Sequence, residues 1–321
     1  MEKIIDSHIH TNFVDELLKA AAQRSGVNFS EQGLDDEMKK NNVVFSIAMA
    51  LESHEDNLDK AFQPLKTKIC SLPNVLTLLA VNPYKSTKRT LKNYEDKIKS
   101  KEIRGIKIYL GYYPFYPHDD VYIPYYQLAD KYNLPIVFHT GECYSEKAKV
   151  KYAHPLNVDE IAMRWDNVTF ILAHMGEPWL MDTAMVIRKN KNVYADMSGI
   201  IEGQIDPEGI KTTLFRIQCA LEYCNFERVI YGSDWPLAPM RGYLEAMRSI
   251  IPKEHCERIF YQNAVDAFKL TPEMLNPVLP TVEQNGTTIT SSQTAQPPAA
   301  PPTTTPTPNG TSAATPSAEK T

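Results

Sequence analysis

The chain has 321 residues, a formal charge of −5 and 43% hydrophobic residues. That is enough for one large domain or two small ones. The mildly acidic balance, with no Lys/Arg stripe, argues against nucleic acid as a partner. No apolar run approaches the ~20 residues of a bilayer span, and the first residues lack a basic-then-apolar leader. Five scattered cysteines fit reduced thiols better than a disulfide framework. A cytoplasmic protein with no membrane partner is expected.

Short apolar, β-branched runs recur along the chain. They are Ile4–Ile9, Val43–Ala50, Val75–Val81, Ile103–Leu110, Ile136–His139, Thr169–His174, Val193–Met197 and Val229–Ser233. Several are apolar almost throughout, as expected of parallel strands covered on both faces. Helical patterns separate them: Asp15–Arg24, Asp35–Lys40, Asp56–Cys70, Thr87–Lys99, Ile123–Tyr132, Val158–Arg164, Trp179–Arg188 and Glu208–Cys224. Leu244–Ile250 and Lys253–Phe268 follow the last run. Eight strand–helix units predict a (β/α)8 TIM barrel over residues 1–275, with a doubly wound sheet as the alternative. Residues 276–321 are rich in Pro, Thr and Ser and poor in large apolar side chains. Such a segment cannot offset its ordering entropy, so a disordered tail is expected.

Polar residues fall where such a barrel places its chemistry, at the C-terminal ends of strands. The first run ends Asp6-Ser7-His8-Ile9-His10 and the fifth Phe138-His139-Thr140-Gly141-Glu142. The sixth ends Ala173-His174-Met175-Gly176 and the eighth Gly232-Ser233-Asp234-Trp235-Pro236. His8 and His10, two apart on a strand, share a face. Any one of these histidines alone reads as a hydrogen-bonded buried residue. Together with Asp234 they form a donor set suited to Zn2+, with Mn2+, Fe2+ or Co2+ also compatible.

These four segments resemble the motifs of the amidohydrolase superfamily, and most closely its amidohydrolase-related family. That family includes aminocarboxymuconate semialdehyde decarboxylase and related decarboxylases, hydratases and lactonases. The resemblance spans Met1 to Leu270 in motif order and implies a distorted barrel with one divalent metal ion at its mouth. By that resemblance His8, His10, His139 and Asp234 bind the metal. Asp234 also shuttles a proton, and His174 faces the substrate or an activated water. Lys107, on the fourth run, is expected to point inward because Ile106 and Ile108 face the other way. In binuclear relatives a carboxylated lysine here bridges to a second metal held by His139 and His174; an unmodified, substrate-facing lysine is the preferred expectation.

The aromatic stretch after the fourth run contains Tyr109, Tyr112, Tyr113, Phe115 and Tyr116. Tyr112, Tyr113 and Tyr116 are positioned to line or lid the barrel mouth. Glu142 is a candidate for orienting a ligand or contacting substrate. Arg241 is a candidate for binding a substrate carboxylate, with a plain surface arginine at the start of the last barrel helix the preferred reading. His54 and His118 read as surface residues, and His154 and His255 carry no assigned role. The expected activity is hydrolysis of a C–N or C–O bond in a small-molecule amide, cyclic amide or lactone through a metal-activated water. A non-oxidative decarboxylase is the alternative, and a barrel without catalysis that serves as a binding protein is a third reading. The resemblance leaves room for a homodimer.

Overall fold

A computed structural model describes residues 2–50 and 70–276. The chain divides into two units, Met1–Leu279 and Pro280–Thr321, and the second lies outside the described residues with the expected tail. So do most of the helix expected over Asp56–Cys70, and His54.

Eight parallel strands pair in chain order: β1 (Ile4–Ile9), β2 (Val43–Met49), β3 (Val75–Ala80), β4 (Ile106–Ile108), β5 (Ile136–Phe138), β6 (Phe170–Leu172), β7 (Val193–Asp196) and β8 (Val229–Ile230). The end of β8 returns to β1 through backbone hydrogen bonds. Ser7 N donates to Tyr231 O (3.0 Å), Asp234 N to His8 O (2.9 Å) and His10 N to Trp235 O (2.8 Å). The fold is the expected TIM barrel, not a doubly wound sheet.

Helices α1 (Glu16–Ser25) and α2 (Glu31–Lys40) lie between β1 and β2, and α3 (Lys88–Lys99) precedes β4. Then come α4 (Ile123–Tyr132), α5 (Asp159–Arg164), α6 (Leu180–Lys189) and α7 (Lys211–Tyr223), one before each remaining strand. After β8 come α8 (Met240–Arg248), α9 (Lys253–Glu257), α10 (Asn263–Phe268) and α11 (Pro272–Leu275). Asp15 caps α1 by accepting from Leu18 N at 3.0 Å, and Gly26 ends it in the left-handed region at φ 69°. Helix α2 starts four residues earlier than its apolar pattern suggests. Ser30 caps it through Gly33 N, a signal that outranks the helix-weakening glycine. The single helix expected over Lys253–Phe268 is divided by a π turn at Arg258–Gln262.

Two apolar layers result from strand alternation. Ile106 and Ile108 pack outward among the helices, in a cluster with Phe138, Phe170 and Tyr126. Ile5, Ile47, Val137, Ile171 and Ile230 fill the barrel interior, which Ala264, Ala267 and Phe268 of α10 close from below. Lys107 shares the interior level, in register with Val137. No helix among the described residues is long and apolar enough to cross a membrane, and the five cysteines are free.

Candidate metal centre and active site

The seam between β8 and β1 puts His8, His10 and Asp234 side by side. Asp234 Oδ1 lies 3.1 Å from His10 Nε2 and 3.6 Å from His8 Nε2. The far side of each ring decides its protonation. His8 Nδ1 is 2.9 Å from Asp196 Oδ2 and His10 Nδ1 is 3.3 Å from the Met49 carbonyl. Both partners only accept, so both Nδ1 atoms carry the hydrogen and both Nε2 atoms present lone pairs. Three lone-pair donors therefore converge with no proton between them, and Asp234 Oδ1 is buried without a hydrogen-bond donor. A cation resolves that repulsion, and the N/N/O donor set with a carboxylate-backed histidine suits a divalent ion.

Protonation states agree with this. Burial and the nearby Lys107 pull His8 down to about 4, so its ring is neutral at pH 7. Burial would raise the Asp234 carboxyl, and only positive charge placed among the surrounding rings holds it well below the ordinary carboxylate range; with those rings neutral, that charge has to come from a cation. Asp196 is likewise held ionised, against its burial, by His8.

His174 occupies the opposite side of Asp234, with Nδ1 3.9 Å from Oδ2 and 3.0 Å from the Ser198 carbonyl. Asp196 Oδ1 accepts from the backbone of His174 and Ser198, both at 3.1 Å, and from the Ser198 hydroxyl. Burial lowers the His174 pKa. Both His174 (φ 61°) and Asp234 (φ 60°) adopt left-handed backbone, a conformation that costs energy in non-glycine residues and gathers at functional sites. Gly199 (φ 64°) lies against them. A Cβ there would come within 2.5 Å of His174 Nδ1 and 2.6 Å of Asp234 Oδ2, so the β7–α7 loop meets the site only because this residue is glycine.

His139 stands beside His174, ring centroids 4.9 Å apart, but its Nε2 is 2.9 Å from the Glu142 carbonyl. It is the one expected ligand that the geometry leaves outside the converging donors. Lys107 points inward as expected. It is fully buried, its Nζ has no hydrogen-bond partner, and the Tyr109 ring centroid lies 5.2 Å away. Burial lowers its pKa to about 8, although Asp196 and Asp234 oppose the shift.

These groups form the floor of a cleft of about 880 Å³, a size suited to a small molecule. Tyr109, Tyr112 and Tyr144 form aromatic wall, Leu17, Leu18 and Ile200 apolar wall, and Glu142 and Glu202 stand among the lining residues. Not every candidate reaches it. Tyr113 packs with Ala80 and Tyr109 in a small buried cluster, and Tyr116 stacks on His118 at 5.2 Å. Arg241 sits in the first turn of α8, 79% exposed and paired with Glu245 at 2.9 Å. The helix directs it to solvent as a plain surface arginine, and the candidate substrate contact is not made.

Sequence reasoning missed Asp196, Asp6, Ser198 and Glu202. Asp196 ends β7 and had the same signal as Asp234, an acid closing an apolar run. Asp6 accepts from His8 N (3.2 Å), Ser233 N (3.0 Å) and Ser233 Oγ (2.6 Å), tying β1 to β8. Burial raises its pKa to about 7. Ser198 and Glu202 follow the strand end in a loop whose path no periodicity reveals.

The sequence profile described as amidohydrolase matches residues 5–270. The chain belongs to the amidohydrolase family. Among curated proteins none matches it. Solved structures show the same architecture at low identity. A 2,6-dihydroxybenzoate decarboxylase from Rhizobium aligns over 84% of this chain and 99% of its own, with TM-score 0.60 and 15% identity. A 5-carboxyvanillate decarboxylase from Novosphingobium aromaticivorans, complexed with manganese, covers 84% and 96%, with TM-score 0.59 and 12% identity. An amidohydrolase from Burkholderia multivorans with bound zinc covers 84% and 100%, with TM-score 0.57 and 15% identity. Membership of the amidohydrolase family over residues 5–270 makes this chain an enzyme, in place of the reading of a barrel without catalysis.

Proposed function

We propose that this amidohydrolase-family enzyme binds one divalent ion and catalyses non-oxidative decarboxylation of a small, flat carboxylic acid. The observation that carries this reading is Lys107, a buried amine with no partner on the floor of an aromatic-walled cleft. With its pKa near 8 it is mostly cationic at neutral pH and needs an anion. A substrate carboxylate supplies one. The decarboxylase structures of the same fold, some with hydroxybenzoate-type ligands, agree with that choice.

His8, His10 and Asp234 would hold the ion, with zinc expected and manganese the alternative, and His139 would join them only by turning from the Glu142 carbonyl. When bound, the ion polarises the substrate's oxygen atoms. Lys107 orients the carboxylate, Tyr109 and Tyr112 stack or pack against the ring, and Ile200 and Leu18 help exclude water. The bond between ring carbon and carboxyl carbon breaks, its electron pair stays on the ring carbon, and CO2 departs. That carbon takes a proton passed from solvent through the His174–Asp234 pair.

Hydrolysis of a C–N or C–O bond is the second reading. The His174–Asp234 pair favours it, since two groups 3.9 Å apart are suited to taking a proton from attacking water and returning it to a leaving group. The deciding experiment incubates zinc- or manganese-loaded protein with hydroxybenzoates and, separately, with amides and lactones. Release of CO2 without any oxidant is expected. Opened amides or lactones, with no CO2 from any carboxylate, would overturn decarboxylation.

A further inference from the structure

The cleft has a charge pattern that the reaction above does not use. Its floor holds the unpartnered Lys107 amine, fully buried and facing the cavity. Among the lining residues are also two exposed acids, Glu142 after β5 and Glu202 in the β7–α7 loop. Their carboxylates make no hydrogen bond or ion pair among the described residues. The other acids near them are engaged. Asp15 caps α1, Glu177 pairs with Arg216 at 2.7 Å, and Asp234 faces the histidines. Arg24 is the cation that opposes Glu202, but its guanidinium donates to the Tyr144 hydroxyl at 3.2 Å.

Glu202 is also held in place. Its loop runs between Gly199 (φ 64°) and Gly203 (φ 76°), and both ends are tied down. Ile200 N donates to the Tyr243 hydroxyl at 3.3 Å and Gly203 N to Leu237 O at 2.7 Å. Ile200 and Glu202, two apart, both line the cleft. Partial desolvation and the negative charges of Asp234 and Glu142 raise the Glu202 carboxyl above its ordinary value, and Arg24 offsets them only in part. An acid carrying only negative charge meets repulsion from these groups on its way to Lys107. A molecule with a cation at its other end gains at both ends.

We propose that Glu142 and Glu202 are a specificity-determining pair that binds a substrate ammonium group, so that the preferred substrate is a flat amino acid with its carboxylate on Lys107 and its amine toward these two acids. This rests on the carboxylate reading of Lys107. The test is calorimetric binding, without turnover, of para-aminomethylbenzoate and para-methylbenzoate to the metal-loaded protein and to its Glu142→Gln/Glu202→Gln variant. The amine is expected to bind about fivefold tighter than the methyl compound or better, as a partly desolvated ion pair allows. The variant should lose that preference while keeping or gaining affinity for para-methylbenzoate. If the methyl compound binds and the amine adds nothing, or the variant keeps the preference, the ammonium site is wrong and the Lys107 reading survives. If neither compound binds, both fall.

Discussion

The two ends of the barrel are built on opposite terms. At the lower end Ile5, Ile47, Val137 and Ile230 pack against α10, and Asn263 Nδ2 donates to Val229 O at 2.8 Å. At the upper end a buried lysine has no partner, three lone pairs face one another, and His174, Met175 and Asp234 take left-handed backbone. One end is optimised for burial, and the other concentrates unfavourable contacts that a ligand relieves. Stability and chemistry are thus separated along the barrel axis, the division expected where activity needs strained or unpaired groups.

Substitutions at the upper end should break this contrast in graded ways. Asp234→Asn removes the ionised oxygen on which both histidines converge. Turnover should fall by roughly 10²–10⁴-fold, with bound metal lost by elemental analysis and circular dichroism unchanged. Gly199→Ala forces a methyl group into His174 and Asp234 at a positive φ. A displacement of that kind costs about 10²-fold in turnover, so a fully active variant would show the loop to be freer than its contacts imply. Asp196→Asn keeps the shape but weakens the brace on His8 Nδ1. Metal affinity, read by competition with a chelator, should drop about 10–100-fold.

Lys107→Met tests the opposite sign. Its folded pKa of about 8 lies below the ordinary lysine value of 10.5, so the unfolded chain binds protons that the folded one resists between those values. Below pH 8 the folded state bears the full cost of a buried charge, and stability rises with pH through that window. The substitution should therefore raise stability at pH 7 by roughly 3 kcal/mol, seen as a higher Tm, while carboxylate binding weakens. Wild-type stability that falls between pH 8 and 10 would contradict that sign. Arg241→Ala should change neither activity nor, beyond ~0.5 kcal/mol, stability.

The eight strands were legible because parallel strands covered on both faces are apolar along most of their length, and His8, His10 and Asp234 because imidazoles and acids gather toward the C-terminal ends of such runs. Lys107 could be aimed inward from Ile106 and Ile108 alone. The misses have a common cause. Arg241 and Tyr116 were placed near the mouth by sequence distance from the motifs, but a helix turn and a loop turned them away. Asp196 was visible but lacked a histidine neighbour to mark it. The direction of the His139 ring depends on the Glu142 carbonyl, a backbone atom that no residue pattern encodes.

The bonds that join Asp234 and Trp235 to His8 and His10 connect positions more than two hundred residues apart. During synthesis the first strand leaves the ribosome early, and its histidines wait for almost the whole barrel before their carboxylate partner emerges. An ion held by the converging set would therefore be captured among the last events of folding, and it would lock the ring at its seam.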